Sequence, residues 1–84
     1  MRYNVKVLDK ATNKNYEAVV NVRSDASLKR MVLKSIEQIV SHISSDELEF
    51  MREVNYLYRE SCDEDDFIEQ LKLDLDLIVE WEEG

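Results

Sequence analysis

The chain has 84 residues, enough for one domain with one core, which at this size buries about 60–65% of its unfolded surface. Its 44% apolar content is that of a globular fold, and one glycine with no proline excludes a Gly-rich phosphate loop and a proline-built linker. The net charge of −8 is unevenly spread: residues 1–43 hold eight bases against four acids, a net of +4, and residues 44–84 hold three bases against fifteen acids, a net of −12.

Residues 2–9 alternate, with Tyr3, Val5 and Val7 on one face and Arg2, Asn4 and Lys6 on the other. Residues 16–23 repeat the pattern, with Tyr16, Ala18, Val20 and Val22 opposing Glu17, Val19, Asn21 and Arg23. A period of two rich in Val and Tyr predicts half-buried strands. The polar stretch 9–15 between them predicts a hairpin turn, because Asn tolerates positive φ.

The period then becomes helical. Leu28, Met31, Val32, Ile36, Ile39, Val40 and Ile43 recur at three and four, one apolar stripe over about four turns. Ser24 or Asp25 is the expected N-cap. Lys29, Arg30, Lys34, Glu37 and Ser41 are expected to face outward. Ser44 and Glu47 have the spacing of a capping box, which predicts a second helix after a very short join. Its inner stripe is Leu48, Met51, Val54, Leu57 and Tyr58.

Asp63, Glu64, Asp65 and Asp66 interrupt the apolar pattern. Phe67, Ile68 and Leu71 allow a short helical turn after them, with acids at its N-terminal end where the helix dipole favours them. From Leu71 the period returns to two. Leu71, Leu73, Leu75, Leu77, Val79 and Trp81 are expected inward, and Lys72, Asp74, Asp76, Glu80 and Glu82 outward, with Ile78 the one apolar residue on the polar face.

The resulting order is ββααβ, an α+β domain spanning residues 1–84. Its three-stranded sheet combines the N-terminal hairpin with a C-terminal strand, and the helices pack on one face. If the last strand lies beside the first, Arg2 and Lys6 face Asp74 and Asp76, and Leu8, Val19 and Ile78 form a small apolar patch on the open face.

The acids fall into three groups. Glu49, Glu53 and Glu60 lie at i, i+4 and i+11 of the second helix with Tyr56 at i+7, a ridge of carboxylates about 6 Å or more apart along the axis. The run Asp63, Glu64, Asp65, Asp66 is the second group, and the outer face of the last strand, ending in Glu80, Glu82 and Glu83, is the third. A solvated polar face explains any one of them. Together they suggest a partner-binding surface: like charges at i, i+4 destabilise a helix, lysine is nearly absent, and an exposed aromatic within charge suits an interface anchor.

Chemistry is less well served. The Asp63-x-Asp65 start of a calcium loop fails at Phe67 and Ile68, so no metal and no cofactor is expected. His42, the sole histidine, would need Ser41, Ser44 or Cys62 as a nucleophile, and none has a motif around it. It fits better as a polar residue at a helix C-terminus. Cys62, the sole cysteine, precedes four acids and is expected to be a small buried hydrophobe rather than a thiolate. Trp81 is expected in the core. Arg23, Lys29, Arg30 and Lys34 could contact phosphate, against the overall negative field.

A lone cysteine excludes an intramolecular disulfide and fits a reducing cytoplasm. The start Met1 to Lys6 lacks the apolar core of a signal peptide, and no apolar run approaches the roughly 20 residues of a membrane span. Excess acid disfavours nucleic acid and anionic membranes as partners and favours a basic protein. In size, acidity and lack of motif the chain resembles phage-encoded inhibitors such as anti-CRISPR and other DNA-mimic proteins. That resemblance implies a non-enzymatic inhibitor, in the host cytoplasm, of a basic nucleic-acid-binding protein such as a defence nuclease. Glu49, Glu53, Tyr56, Glu60 and Asp63 to Asp66 would be its contact surface. The alternative is a small regulatory or assembly module, monomeric or homodimeric, that acts through its sheet face or a strand edge.

Overall fold

In the computed structural model, which describes residues 1–84, the chain order is β1 (Arg2–Asp9), β2 (Lys14–Asn21), α1 (Leu28–Ile43), α2 (Glu47–Glu60), α3 (Glu64–Leu75) and β3 (Leu77–Glu83). The strands form one antiparallel sheet in the order β2-β1-β3, so the C-terminal strand lies beside the first as expected.

The hairpin closes more tightly than the polar stretch suggested. Asp9 pairs with Lys14, which starts β2 two residues before Tyr16. The Asp9 carboxylate accepts the Ala11 amide at 3.0 Å, and Asn13 takes the left-handed conformation at φ 58°. Both are local side-chain devices for reversing a chain. Tyr3, Val5, Val7, Ala18 and Val20 point into the core.

Helix α1 starts at Ser27, not at Ser24 or Asp25, and the Ser27 hydroxyl accepts the Arg30 amide at 3.1 Å. Residues 23–26 form a turn instead, closed by the Ala26 amide donating to the Arg23 carbonyl at 3.0 Å. α1 is the centre of the molecule, packing on β1 and β2 on one side and on α2 and α3 on the other. Leu33 and Ser35, on the two flanks of the expected stripe, are also buried. Ser35 satisfies its hydroxyl by donating to the Val32 carbonyl at 2.6 Å.

The join between α1 and α2 is not a capping box. Ser44 ends α1, and Asp46 caps α2 by accepting the Glu49 amide at 3.1 Å. α2 rests on α1 and α3 and has no substantial contact with the strands. Val54 and Leu57 are buried, with Phe50, Met51 and Tyr58 packed partly against the core. Leu48, expected in the inner stripe, is 84% exposed: it sits in the first turn, on the side of α2 turned away from Val54 and Leu57.

The largest departure from the sequence pattern is α3. Three full turns occupy residues where a short turn and the start of a strand were expected. Phe67, Leu71 and Leu75 recur at four and face inward, with Phe67 and Leu71 completely buried, while Leu73 is 65% exposed. Asp76 then stops the helix by adopting a left-handed conformation, φ 56° and ψ 33°, and its amide donates to the Leu71 carbonyl. Only from Leu77 does the expected alternation hold, with Leu77 and Val79 buried. Asp74 and Asp76 therefore do not face Arg2 and Lys6; Lys6 lies opposite Glu80 on β3 and Glu17 on β2. Leu8 and Ile78 are cross-strand neighbours on the open face. Val19 lies opposite Asn4, four residues along β2 from the partner of Leu8, about 13 Å away at strand rise, so the expected apolar patch is split.

Candidate partner-binding surface

The outer side of α2 follows from its inner one. At about 100° per residue, burying Val54 and Leu57 turns Glu49, Glu53, Tyr56 and Glu60 onto a stripe roughly 60° wide, and all four are exposed. Tyr56 keeps half of its surface in solvent. Sequence spacing thus placed these four residues together correctly.

The flank of the stripe is not acidic. Arg52 and Arg59 stand four residues before and three after Tyr56, so the ring lies between two guanidinium groups on one side and the carboxylates on the other. Arg52 Nη1 is 3.7 Å from Glu49 Oε2, with side chains 79% and 71% exposed. A pair so open to water contributes little stability. Leu48 extends this flank, four residues before Arg52. Its exposure was the signal that periodicity missed, because a leucine at that spacing reads as core. At the start of α2 a shallow hollow is lined by Ser44, Asp46, Glu49, Phe50, Glu53 and Leu75.

The acidic run divides into structural and free groups. Asp63 caps α3, accepting the Asp66 amide at 2.9 Å, and the Asp66 carboxylate accepts the Cys62 amide at 2.9 Å. The Asp63 carboxylate satisfies an amide donor that a helix start leaves orphaned, and Asp66 reaches back to the residue before the cap. Glu64 and Asp65 gain from the dipole in the first turn, and Asp65 points into solvent. Nowhere do three acidic, histidine or cysteine side chains converge as a metal cage would require.

The remaining residues take other positions. The His42 ring stacks on Tyr16 with centroids 6.3 Å apart, and the Tyr16 hydroxyl donates to the His42 carbonyl at 3.2 Å. Ser44 serves the join to α2, its hydroxyl accepting the Asp46 amide at 3.2 Å. Cys62 is exposed rather than buried, because α2 ends at Glu60 and Ser61 takes the buried place. Trp81 lies on the helix-facing side of β3 but stays 36% exposed, packed edge-on against Tyr3 at 5.7 Å, because β3 is an edge strand with no neighbour on one flank.

The basic group is dispersed. Arg23 pairs with Asp25 at 3.5 Å, and Lys29 donates to the Ser61 carbonyl at 2.8 Å. Arg30 and Lys34 border a hollow with Asn21, Val22, Arg23 and Ala26, between the end of β2 and the start of α1. No helix is long and apolar enough to cross a membrane. No protein-family model, curated protein or solved structure matches the chain.

Proposed function

We propose that this chain is a non-enzymatic acidic inhibitor that binds the positively charged nucleic-acid-binding surface of a partner protein, as DNA-mimic and anti-CRISPR proteins do. The supporting observation is the stripe Glu49, Glu53, Tyr56, Glu60, exposed along its length on a helix whose other side is committed to the core. Carboxylates spaced along a rod with one exposed ring offer a basic groove what a nucleic-acid strand offers: negative charge at intervals and a flat stacking surface. Of the run after α2, Asp65 and Glu64 remain able to extend that field, while Asp63 and Asp66 hold the start of α3. Opposed potentials make such docking fast and salt-sensitive, and exclusion of the nucleic acid needs no chemistry. The setting is a host cytoplasm, with a phage-encoded inhibitor acting on a defence nuclease.

Changing Glu49, Glu53 and Glu60 together to Lys tests this reading, with inhibition of the candidate nuclease measured across salt concentrations. The triple variant is expected to lose inhibition and its salt dependence. Unchanged inhibition by a folded triple variant would overturn it. The alternative, a small regulatory or assembly module, draws support from a different feature: the open edge of β3.

A further inference from the structure

The two edges of the sheet are not equivalent. In an antiparallel ladder, alternate residues direct their N–H and C=O groups to one neighbour and the rest to the other. The Lys10 amide donates to the Asp76 carbonyl at 2.9 Å and the Gly84 amide to the Arg2 carbonyl at 2.9 Å, so the even-numbered residues of β3 bond to β1. Leu77, Val79, Trp81 and Glu83 therefore turn their backbone groups away from β1; Leu77 and Val79 are buried, so the open part of the edge is Trp81 and Glu83. On β2 the bonds between Met1 and Val22 set the odd-numbered residues outward. There the Gln38 side-chain amide of α1 reaches over and donates to the Val19 carbonyl at 2.9 Å. No side chain does the same for Val79 or Trp81.

The side chains beside the open edge have a defined character. Glu80 and Glu82 stand on the open face of the sheet, exposed and without an ion-pair partner, next to a hollow lined by Asn4, Lys6, Glu80, Trp81 and Glu82. On the helix-facing side Val79 is buried, and the edge presents the exposed flank of Trp81 and, beyond it, Glu83. Unpaired strand edges accept further strands, with backbone bonds giving affinity and alternate side chains giving specificity.

We infer that the edge of β3 is a docking site for an extended basic segment of a partner protein, which joins the sheet as a fourth strand. Its alternate residues place Lys or Arg beside Glu80 and Glu82, and an apolar group beside Trp81. A second copy of this chain is the wrong occupant, because antiparallel pairing of β3 with itself about Trp81 sets Glu80 of each copy against Glu82 of the other. The inference rests on the assembly-module reading and not on the α2 stripe.

Amide exchange on the isotope-labelled full chain tests it, with an octapeptide of alternating lysine and valine as probe. In the free protein the amides of Trp81 and Glu83 are expected to exchange fast and those of Glu80 and Glu82 slowly. The peptide should slow exchange at Trp81 and Glu83 by about tenfold or more, and its glutamate-for-lysine counterpart should bind about tenfold more weakly, equivalent to about 1.4 kcal/mol. Trp81→Pro removes an outward N–H without touching the β1 ladder and should abolish protection at Glu83. The Glu49→Lys, Glu53→Lys, Glu60→Lys variant should bind the peptide unchanged, which separates this inference from the inhibitor reading. Equal binding of both peptides, or peptide-induced changes on α2 instead of β3, overturns the inference. Concentration-dependent protection of the edge amides in the free protein overturns it too, and keeps the module reading as a homodimer.

Discussion

The Lys29 ammonium lies 4.5 Å from the centre of the Tyr58 ring, and the same group donates to the Ser61 carbonyl at 2.8 Å. A base from the positive half of the chain thus ties α1 to the C-terminal end of α2, where the helix dipole is negative. Tyr58 in turn packs edge-on against Phe67, with centroids 5.6 Å apart, so the contact reaches the middle of the core. Lys29 is an internal clamp, and the basic surface is smaller than a count of lysines suggests.

Lys29→Met keeps the aliphatic stem and deletes the charge. Cation–π and charge-assisted hydrogen-bond contributions together lead to an expected loss of about 1–3 kcal/mol. Urea unfolding followed by circular dichroism should show a lower midpoint at unchanged slope. Lys29→Arg should recover part of the loss. A midpoint equal to that of the parent chain would falsify the clamp.

Residues 71–75 show where periodicity stops being informative. Four is a multiple of two, so Leu71 and Leu75 face inward whether the segment is strand or helix. Only Leu73 tells them apart, and its hydrophobicity points the wrong way. The hairpin, by contrast, was legible because Tyr3, Val5, Val7, Ala18 and Val20 satisfy one period only. Likewise the α2 stripe could be read from spacing, but the occupation of Asp63 and Asp66 by backbone amides could not, since capping depends on where a helix begins.

Leu73 therefore decides between the two conformations. On α3 it is 65% exposed, so Leu73→Lys should change stability by no more than about 0.5 kcal/mol. Leu71 is completely buried, and Leu71→Ala should cost about 2–5 kcal/mol. In a strand running from Leu71 both changes would be severe. Thermal melts of the two variants separate the cases.

Asp63, Asp65 and Asp66 carry the same charge in the same turn and should respond differently to neutralisation. Asp63→Ala and Asp66→Ala each remove the acceptor of a 2.9 Å hydrogen bond, with an expected cost of about 1 kcal/mol even though repulsion in the run is relieved. Asp65→Asn removes charge alone and should be near neutral. If all three stabilise the protein equally, like-charge repulsion outweighs capping. Inhibition assays on the same variants should show Asp65→Asn weakening binding without a change in stability.

Asp76 is the residue on which the end of α3 turns. Its side chain has no hydrogen bond in the fold, whereas its carbonyl accepts the Lys10 amide at 2.9 Å and its φ is 56°. A left-handed residue with a branched Cβ is strained by about 1–2 kcal/mol, and glycine by almost nothing. Strand propensity argues the opposite, since Val is among the best residues for an extended chain and Gly among the worst. Asp76→Val should therefore lower stability by about 1–2 kcal/mol. Asp76→Gly should leave it unchanged or slightly raised, the relief of strain offset by the larger entropy of glycine in the unfolded chain. Denaturant midpoints for the pair read the backbone conformation at this position directly. A more stable Val variant would mean that β3 begins earlier than Leu77 and that Asp76 is extended in solution.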